Sequence, residues 1–187
     1  MVKIIGAIAA VLILAVLVIR VNHKPDIVIT EKYQPLSMAI PAFGADSVIP
    51  QRYSGNGEDV SPEIQLSKLD RKVVSLAVIM DDIDHPLVGV YNHWIIWNLP
   101  PQQIIPEAIP QGETVSELSE AIQGVGYGKH RYRGPKPPFG SHRYKYHVFA
   151  LNKKLELEPS AKKEELLAAM EGHIIQYGSA IGSYPGK

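Results

Sequence analysis

The sequence contains no cysteine. That absence excludes a disulfide scaffold, a Cys-ligated zinc centre, a thiol nucleophile and a lipid-modified N-terminal Cys. A surplus of charge is missing too, since 19 Lys+Arg balance 19 Asp+Glu over 187 residues. A dedicated nucleic-acid binder gathers a basic excess on one face, so no nucleic-acid partner is expected. There is no internal repeat and no low-complexity tract. Nor is there a Ser-nucleophile motif, an H-E-x-x-H pair or a Walker loop, the usual sequence marks of hydrolases and nucleotide-binding enzymes. What is present, 45% hydrophobic and 20% charged residues, is the composition of a globular chain.

The apolar residues are unevenly spread. Ile4 to Ile19 form an unbroken 16-residue apolar run between Lys3 and Arg20. No small-residue cleavage pattern follows it, so it reads as an uncleaved signal anchor, a hydrophobic helix over 1–24, with secretion after cleavage as the alternative. Sixteen residues fall short of the roughly 20 that span a bilayer, and snorkelling Lys3 and Arg20 can extend the run. The expected arrangement is a membrane-anchored protein with an extracytoplasmic domain over 25–187. Lys3, Arg20 and Lys24 are the only charged residues of 1–24, so that domain keeps 16 basic against 19 acidic residues and a net charge of −3.

Within the domain, strands outnumber helices. Val73–Met80 and His93–Leu99 are continuous apolar runs, stopped by Asp81-Asp82 and by Pro100-Pro101, and both predict buried strands. Tyr144–Leu151 predicts a third, with Tyr144, Tyr146, Val148 and Ala150 on one face and Lys145, His147, Phe149 and Leu151 on the other. Seven of the 15 prolines fall in Pro100–Pro138, which predicts ordered loop. The clearest helix follows, with Ser160 as N-cap, Glu164 and Glu165 in the first turns, and Leu166, Met170, His173/Ile174 and Tyr177 at helical spacing. Gly172 can divide it and Gly178 can cap it, giving one or two short helices.

Candidate chemistry gathers at strand ends and in the proline-rich loop. In M-D-D-I-D-H-P, alternation puts Asp82 and Asp84 on one side. Such a pair can do acid–base work, hold a cation or tie down a turn, and Asp before Pro is ordinary turn chemistry. His93 opens a buried strand, where a hydrogen-bonded structural role competes with a binding one. From Lys129 to Lys145 there are six Lys/Arg, two His and no acidic residue. A solvated basic loop accounts for this, and so does anion recognition: Gly134 allows close backbone approach, Pro135, Pro137 and Pro138 stiffen the loop, and His142 and Tyr144 share a face. Tyr127, Tyr132, Phe139 and Tyr144 also permit base stacking, against which the acidic remainder of the domain speaks.

Taken in order, D-D-I-D-H-P, H-W-I-I-W-N-L-P, G-P-K-P-P-F-G-S-H-R-Y and G-H-I-I-Q-Y-G-S-A-I-G-S-Y resemble the phosphatidylethanolamine-binding protein family, in particular its prokaryotic Raf-kinase-inhibitor-like branch. The likeness runs from Ser61-Pro62 to Tyr184. It implies a mainly β fold, a large antiparallel sheet packed on a smaller one, with a small anion-accepting pocket at one end. By motif position it implies ligand-binding roles for Asp82, Asp84, His93, Gly134, Pro135, His142 and Tyr144, with Arg143 bracing the loop by pairing with a carboxylate. The implied ligands are phosphate-like or carboxylate groups, including a phospholipid head group. Ile83, His85 and Lys136 depart from the usual pattern and leave ligand preference open.

Three function classes follow. Small-anion or phospholipid head-group binding is favoured, with a possible regulatory role. Inhibition or regulation of a protein kinase or protease is second. A metal-dependent or acid–base hydrolase built on Asp82, Asp84, His93 and His142 is third. No cofactor, resident metal or catalytic residue is expected.

Overall fold

The computed structural model describes residues 26–27 and 33–186. The anchor expected over 1–24 lies outside these residues, and among the described ones no helix is long and apolar enough to cross a membrane. The described residues hold ten strands and one α-helix, in order β1 (Gln34–Pro35), β2 (Ser37–Ala39), β3 (Ile64–Ser67), β4 (Ser75–His85), β5 (Gly89–Leu99), β6 (Ile104–Ile105), β7 (Thr114–Val115), β8 (Ala121–Gln123), β9 (Ser141–Leu151), α1 (Lys163–Met170) and β10 (Ile174–Pro185). Seven strands build a large sheet in the order β1-β10-β9-β4-β5-β8-β7, and β2-β3-β6 build a small one.

The long central strands explain why their sequences read as continuous apolar runs. β4, β5 and β9 are covered on both sides. One face meets the small sheet through Leu76, Val78, Met80, Trp94, Ile96, Tyr146, Val148 and Ala150, packed with Ile64, Leu66 and Ile105. The other meets α1 through Ala77, Ile79, Ile95, Trp97, Phe149 and Leu151, packed with Leu166 and Met170. A strand buried on both faces has no polar side to alternate with. At about 25 cal/mol per Å² of apolar surface removed from water, these two cores are the main source of stability.

Three expectations are corrected. The large sheet is mixed, because β1 runs parallel to β10 while its other pairings are antiparallel. The helix does not reach Tyr177. It begins after Lys162, whose backbone N–H donates to Glu165 Oε2 at 2.8 Å, so Ser160 is not the cap. It ends at Met170, and Gly172, with φ +77°, turns the chain back toward the sheet. From there I-I-Q-Y-G-S-A-I-G-S-Y-P pairs along the whole of β9, and Gly178 lies in mid-strand. Thirdly, β4 does not stop at Asp81-Asp82 but carries both carboxylates within the strand to His85.

Candidate functional site

The imidazole of His93 is placed by a bulge. Along the β4–β5 ladder Met80 pairs with Trp94 and Asp81 with Asn92, so His93 is the extra residue. Bulges re-aim side chains, and here the His93 ring meets Tyr144 on β9 edge-to-face at 5.3 Å, with Tyr127 at 5.2 Å and Tyr91 at 5.8 Å around it. Neighbouring β9 brings His142 against Asp82 of β4, Nδ1 to Oδ2 at 2.7 Å. Asp82, His93, His142 and Tyr144 are 3%, 4%, 7% and 1% exposed, so little of the cluster reaches solvent.

Partners fix the proton positions. The Arg133 carbonyl oxygen, 2.8 Å from His93 Nδ1, can only accept, so that nitrogen carries the proton. The Asp82 carboxylate imposes the same tautomer on His142. On each ring this leaves Nε2 as a lone pair when the ring is neutral and as a donor when it is protonated. Burial lowers the pKa of His93 and outweighs the pull of the Arg133 carbonyl and of Asp82. Burial and the Asp82 carboxylate push the Tyr144 phenol up, so it remains protonated. Asp82 is the hub of the cluster: Oδ1 accepts the Asp84 N–H at 3.0 Å and Oδ2 holds His142.

Asp84 is engaged elsewhere. Its carboxylate accepts Arg143 Nε at 2.8 Å, Nη2 at 2.7 Å and the Arg143 backbone N–H at 2.9 Å. This bidentate pair lowers the Asp84 pKa. It is the bracing contact expected of Arg143, and it ties the end of β4 to the start of β9. Gly134 and Pro135 form a buried wall, and their close approach is to the chain itself. A Cβ at Gly134 would lie 2.2 Å from the Tyr53 carbonyl oxygen. The Pro135 carbonyl accepts the Gly55 N–H at 2.9 Å. Lys136 is exposed, and the His85 ring lies 5.1 Å from that of Tyr91 in a tilted arrangement. Of the aromatic residues in the basic loop, Tyr132 is buried and donates its hydroxyl to the Tyr53 carbonyl, while Phe139 and Tyr127 face solvent.

The residue that sequence reasoning missed is Asp59. Its Oδ1 accepts the Gly134 N–H at 2.6 Å, and its Oδ2 accepts Arg131 and Arg133 at 2.8 and 2.9 Å. Two of the six basic residues between Lys129 and Lys145 are thereby neutralised, and the carbonyl that orients His93 is held in place. Only its left-handed φ of 59° marks Asp59 out, and a backbone angle is not legible in sequence.

Residues 39–185 match the phosphatidylethanolamine-binding protein family. Over 148 residues the chain is 44% identical to a UPF0098 protein of Pyrococcus abyssi, covering 78% of this chain and 83% of that protein. It is 39% identical to a UPF0098 protein of Methanothermobacter thermautotrophicus over 80% of this chain and 98% of the relative. The structure of a phosphatidylethanolamine-binding protein homologue from Chlamydia trachomatis superposes with a TM-score of 0.73 at 32% identity, covering 82% of this chain and 99% of that one. That of Escherichia coli YbcL does so with 0.74 at 20% identity over 81% and 99%, a likeness of fold alone. Sequence match and fold agree: the chain belongs to the phosphatidylethanolamine-binding protein family, in its prokaryotic branch.

Proposed function

We propose that the cluster of Asp82, His93, His142 and Tyr144 binds the phosphate of a small phosphorylated molecule or phospholipid head group, and that the wall of Gly134 and Pro135 limits what enters. The observation that carries this reading is the shared tautomer. Both imidazoles spend Nδ1–H on protein acceptors, which leaves Nε2 of each ring to meet a ligand, and the His93 ring packs edge-to-face on Tyr144. An ionised phosphate oxygen needs donors, and Nε2 becomes one only when the ring gains a proton. Phosphate binding is therefore coupled to proton uptake, which also offsets the nearby negative charge of Asp82. The small exposed area suits a single phosphate group, with any acyl chains outside. The exposed Arg143–Asp84 pair and Asp59 act as braces and do not touch the ligand. The hydrolase reading gains nothing from this geometry, since Asp84 is held by Arg143 and does not share a proton with Asp82. The apolar run Ile4–Ile19 would keep the domain at a membrane, where phospholipid head groups are abundant.

The test is calorimetry with glycerophosphoethanolamine, a phosphodiester whose charge is constant between pH 8 and 5.5. Affinity is expected to rise as pH falls through the histidine range, with proton uptake measured from buffers of different ionisation enthalpy. His142→Gln is expected to weaken binding and flatten the profile. Flat affinity in the unmodified protein would remove the imidazoles from the role.

A further inference from the structure

Asp81 and Asp82 are neighbours on β4 but point to opposite faces of the sheet, and the face under α1 holds a second polar cluster. Asp81 and His147 of β9 both have fully buried side chains there, and Asp26 reaches them from the segment before β1. His147 Nδ1 lies 2.8 Å from the Tyr177 hydroxyl oxygen. Its Nε2, buried among carboxylates, has no hydrogen-bond partner. That nitrogen stands 3.8 Å from Asp26 Oδ1 and 3.8 Å from Asp81 Oδ2, too far for a hydrogen bond.

Three electron-pair donors thus converge around a gap, all within 4.8 Å of one another. Around a tetrahedral zinc ion with bonds of about 2.1 Å, neighbouring ligand atoms are about 3.4 Å apart, so a modest contraction closes the set on an ion. The supporting parts of a metal site are present. Tyr177 can accept the Nδ1–H and fix the tautomer that aims a lone pair inward. Asn92 Nδ2 holds Asp81 Oδ1 at 2.9 Å. The cluster already neutralises its carboxylates with cations: Lys145 Nζ lies 2.8 Å from Asp26 Oδ2, and Lys163 Nζ donates to Asp81 Oδ2. Neither ammonium gives His147 Nε2 a partner. Asp26, Asn92 and Lys163 also line a cleft of 720 Å³, bordered by Val90, Tyr127 and Leu167, which supplies a path from solvent.

We propose that Asp26, Asp81 and His147 bind a divalent transition-metal ion of the zinc class, with the Lys163 ammonium leaving Asp81 as the ion enters from the cleft. Two carboxylates and one imidazole form a ligand set suited to zinc, cobalt or nickel, and the fourth position would face the cleft. This site is independent of the phosphate-binding reading, since it uses none of the same side chains.

The test is titration of the chelator-stripped full chain with Zn²⁺ by calorimetry, paired with the visible absorption of Co²⁺. One equivalent is expected to bind. Asp26→Asn is expected to weaken it roughly tenfold or more, and Tyr177→Phe to do so through the His147 ring. Lys163→Met, which removes the resident cation, is expected to tighten binding, a gain that a purely structural ion pair would not produce. It also keeps the proposal testable should Asp26→Asn fail to fold. No uptake of Zn²⁺ by either the unmodified protein or the Lys163→Met variant would overturn the proposal. So would binding that survives Asp26→Asn and disappears in His142→Gln, because that ion would sit in the imidazole cluster.

Discussion

At the scale of single residues, the site depends on small groups that decide where a proton sits. His93 is held neutral by burial, its pKa lowered, so its ordinary imidazole value of about 6.5 applies only to the unfolded chain. As pH falls through that value, the unfolded state takes up a proton that the folded state refuses, and stability is lost on the acid side. His93→Gln is expected to remove part of that slope between pH 7 and 5, read by urea denaturation at each pH. Asp84 works in a lower window. Its pKa is depressed by Arg143, so its contribution is present above about pH 4 and is lost as pH falls through the lower folded value. Because the Arg143 side chain is 58% exposed, Asp84→Asn is expected to cost about 1 kcal/mol or less at neutral pH, with the difference from wild type vanishing at the acid end. Gly134→Ala is a harder change: the new Cβ meets the Tyr53 backbone, which cannot rotate away, and about 1–3 kcal/mol should be lost in thermal or urea melts. Asp82, His93, His142 and Tyr144 could be named from the ordered motifs alone. The division of labour between Asp82 and Asp84 could not, because it depends on whether His142 or Arg143 faces each carboxylate across the β4–β9 ladder.

At the scale of elements, β4, β5 and β9 were legible because burial on both faces leaves continuous apolar sequence. The β10 segment was not, because Ile174 and Tyr177 fit a helical period while the small residues that follow carry little pattern of either kind. Pairing with β9 decides it, and a tertiary partner is invisible to local periodicity. The bulge at His93 was hidden for the same reason, since it exists only relative to β4. The boundaries of α1 can be checked directly. Ser160→Ala should be nearly neutral, within about 0.5 kcal/mol, because exposed Ser160 lies outside the helix. Glu165→Ala should cost about 1 kcal/mol, since it removes the acceptor of the Lys162 N–H. Leu166→Ala should cost about 2–5 kcal/mol, because Leu166 is fully buried against the second core. Urea denaturation of the three variants ranks them. A large loss at Ser160 with none at Glu165 would move the helix start.

At the scale of the whole molecule, the balanced charge conceals two chemically different parts, a short apolar run with basic flanks and a domain of net −3. An acidic domain is not drawn to anionic lipid by its overall charge, so the proposed membrane retention rests on Ile4–Ile19 alone. The full chain should remain with membranes after alkaline carbonate washing, and a chain lacking residues 1–24 should be released. Recovery of the full chain in the soluble fraction would remove the anchor. The domain itself separates two polar clusters by the thickness of one sheet, with Asp82 serving the imidazoles on one face and Asp81 serving His147 on the other. In the first cluster, the proposed binding of phosphate puts a proton on Nε2 of an imidazole whose Nδ1–H is already committed. Long-range ¹H–¹⁵N spectroscopy of the histidine rings, recorded at pH 7.5 with and without glycerophosphoethanolamine, observes this directly. The expected result is that Nε2 of His142 or His93 moves from the unprotonated to the protonated range on saturation, while the rings of His85, His130 and His173 are unchanged. Saturable binding with both Nε2 atoms still unprotonated would contradict the account.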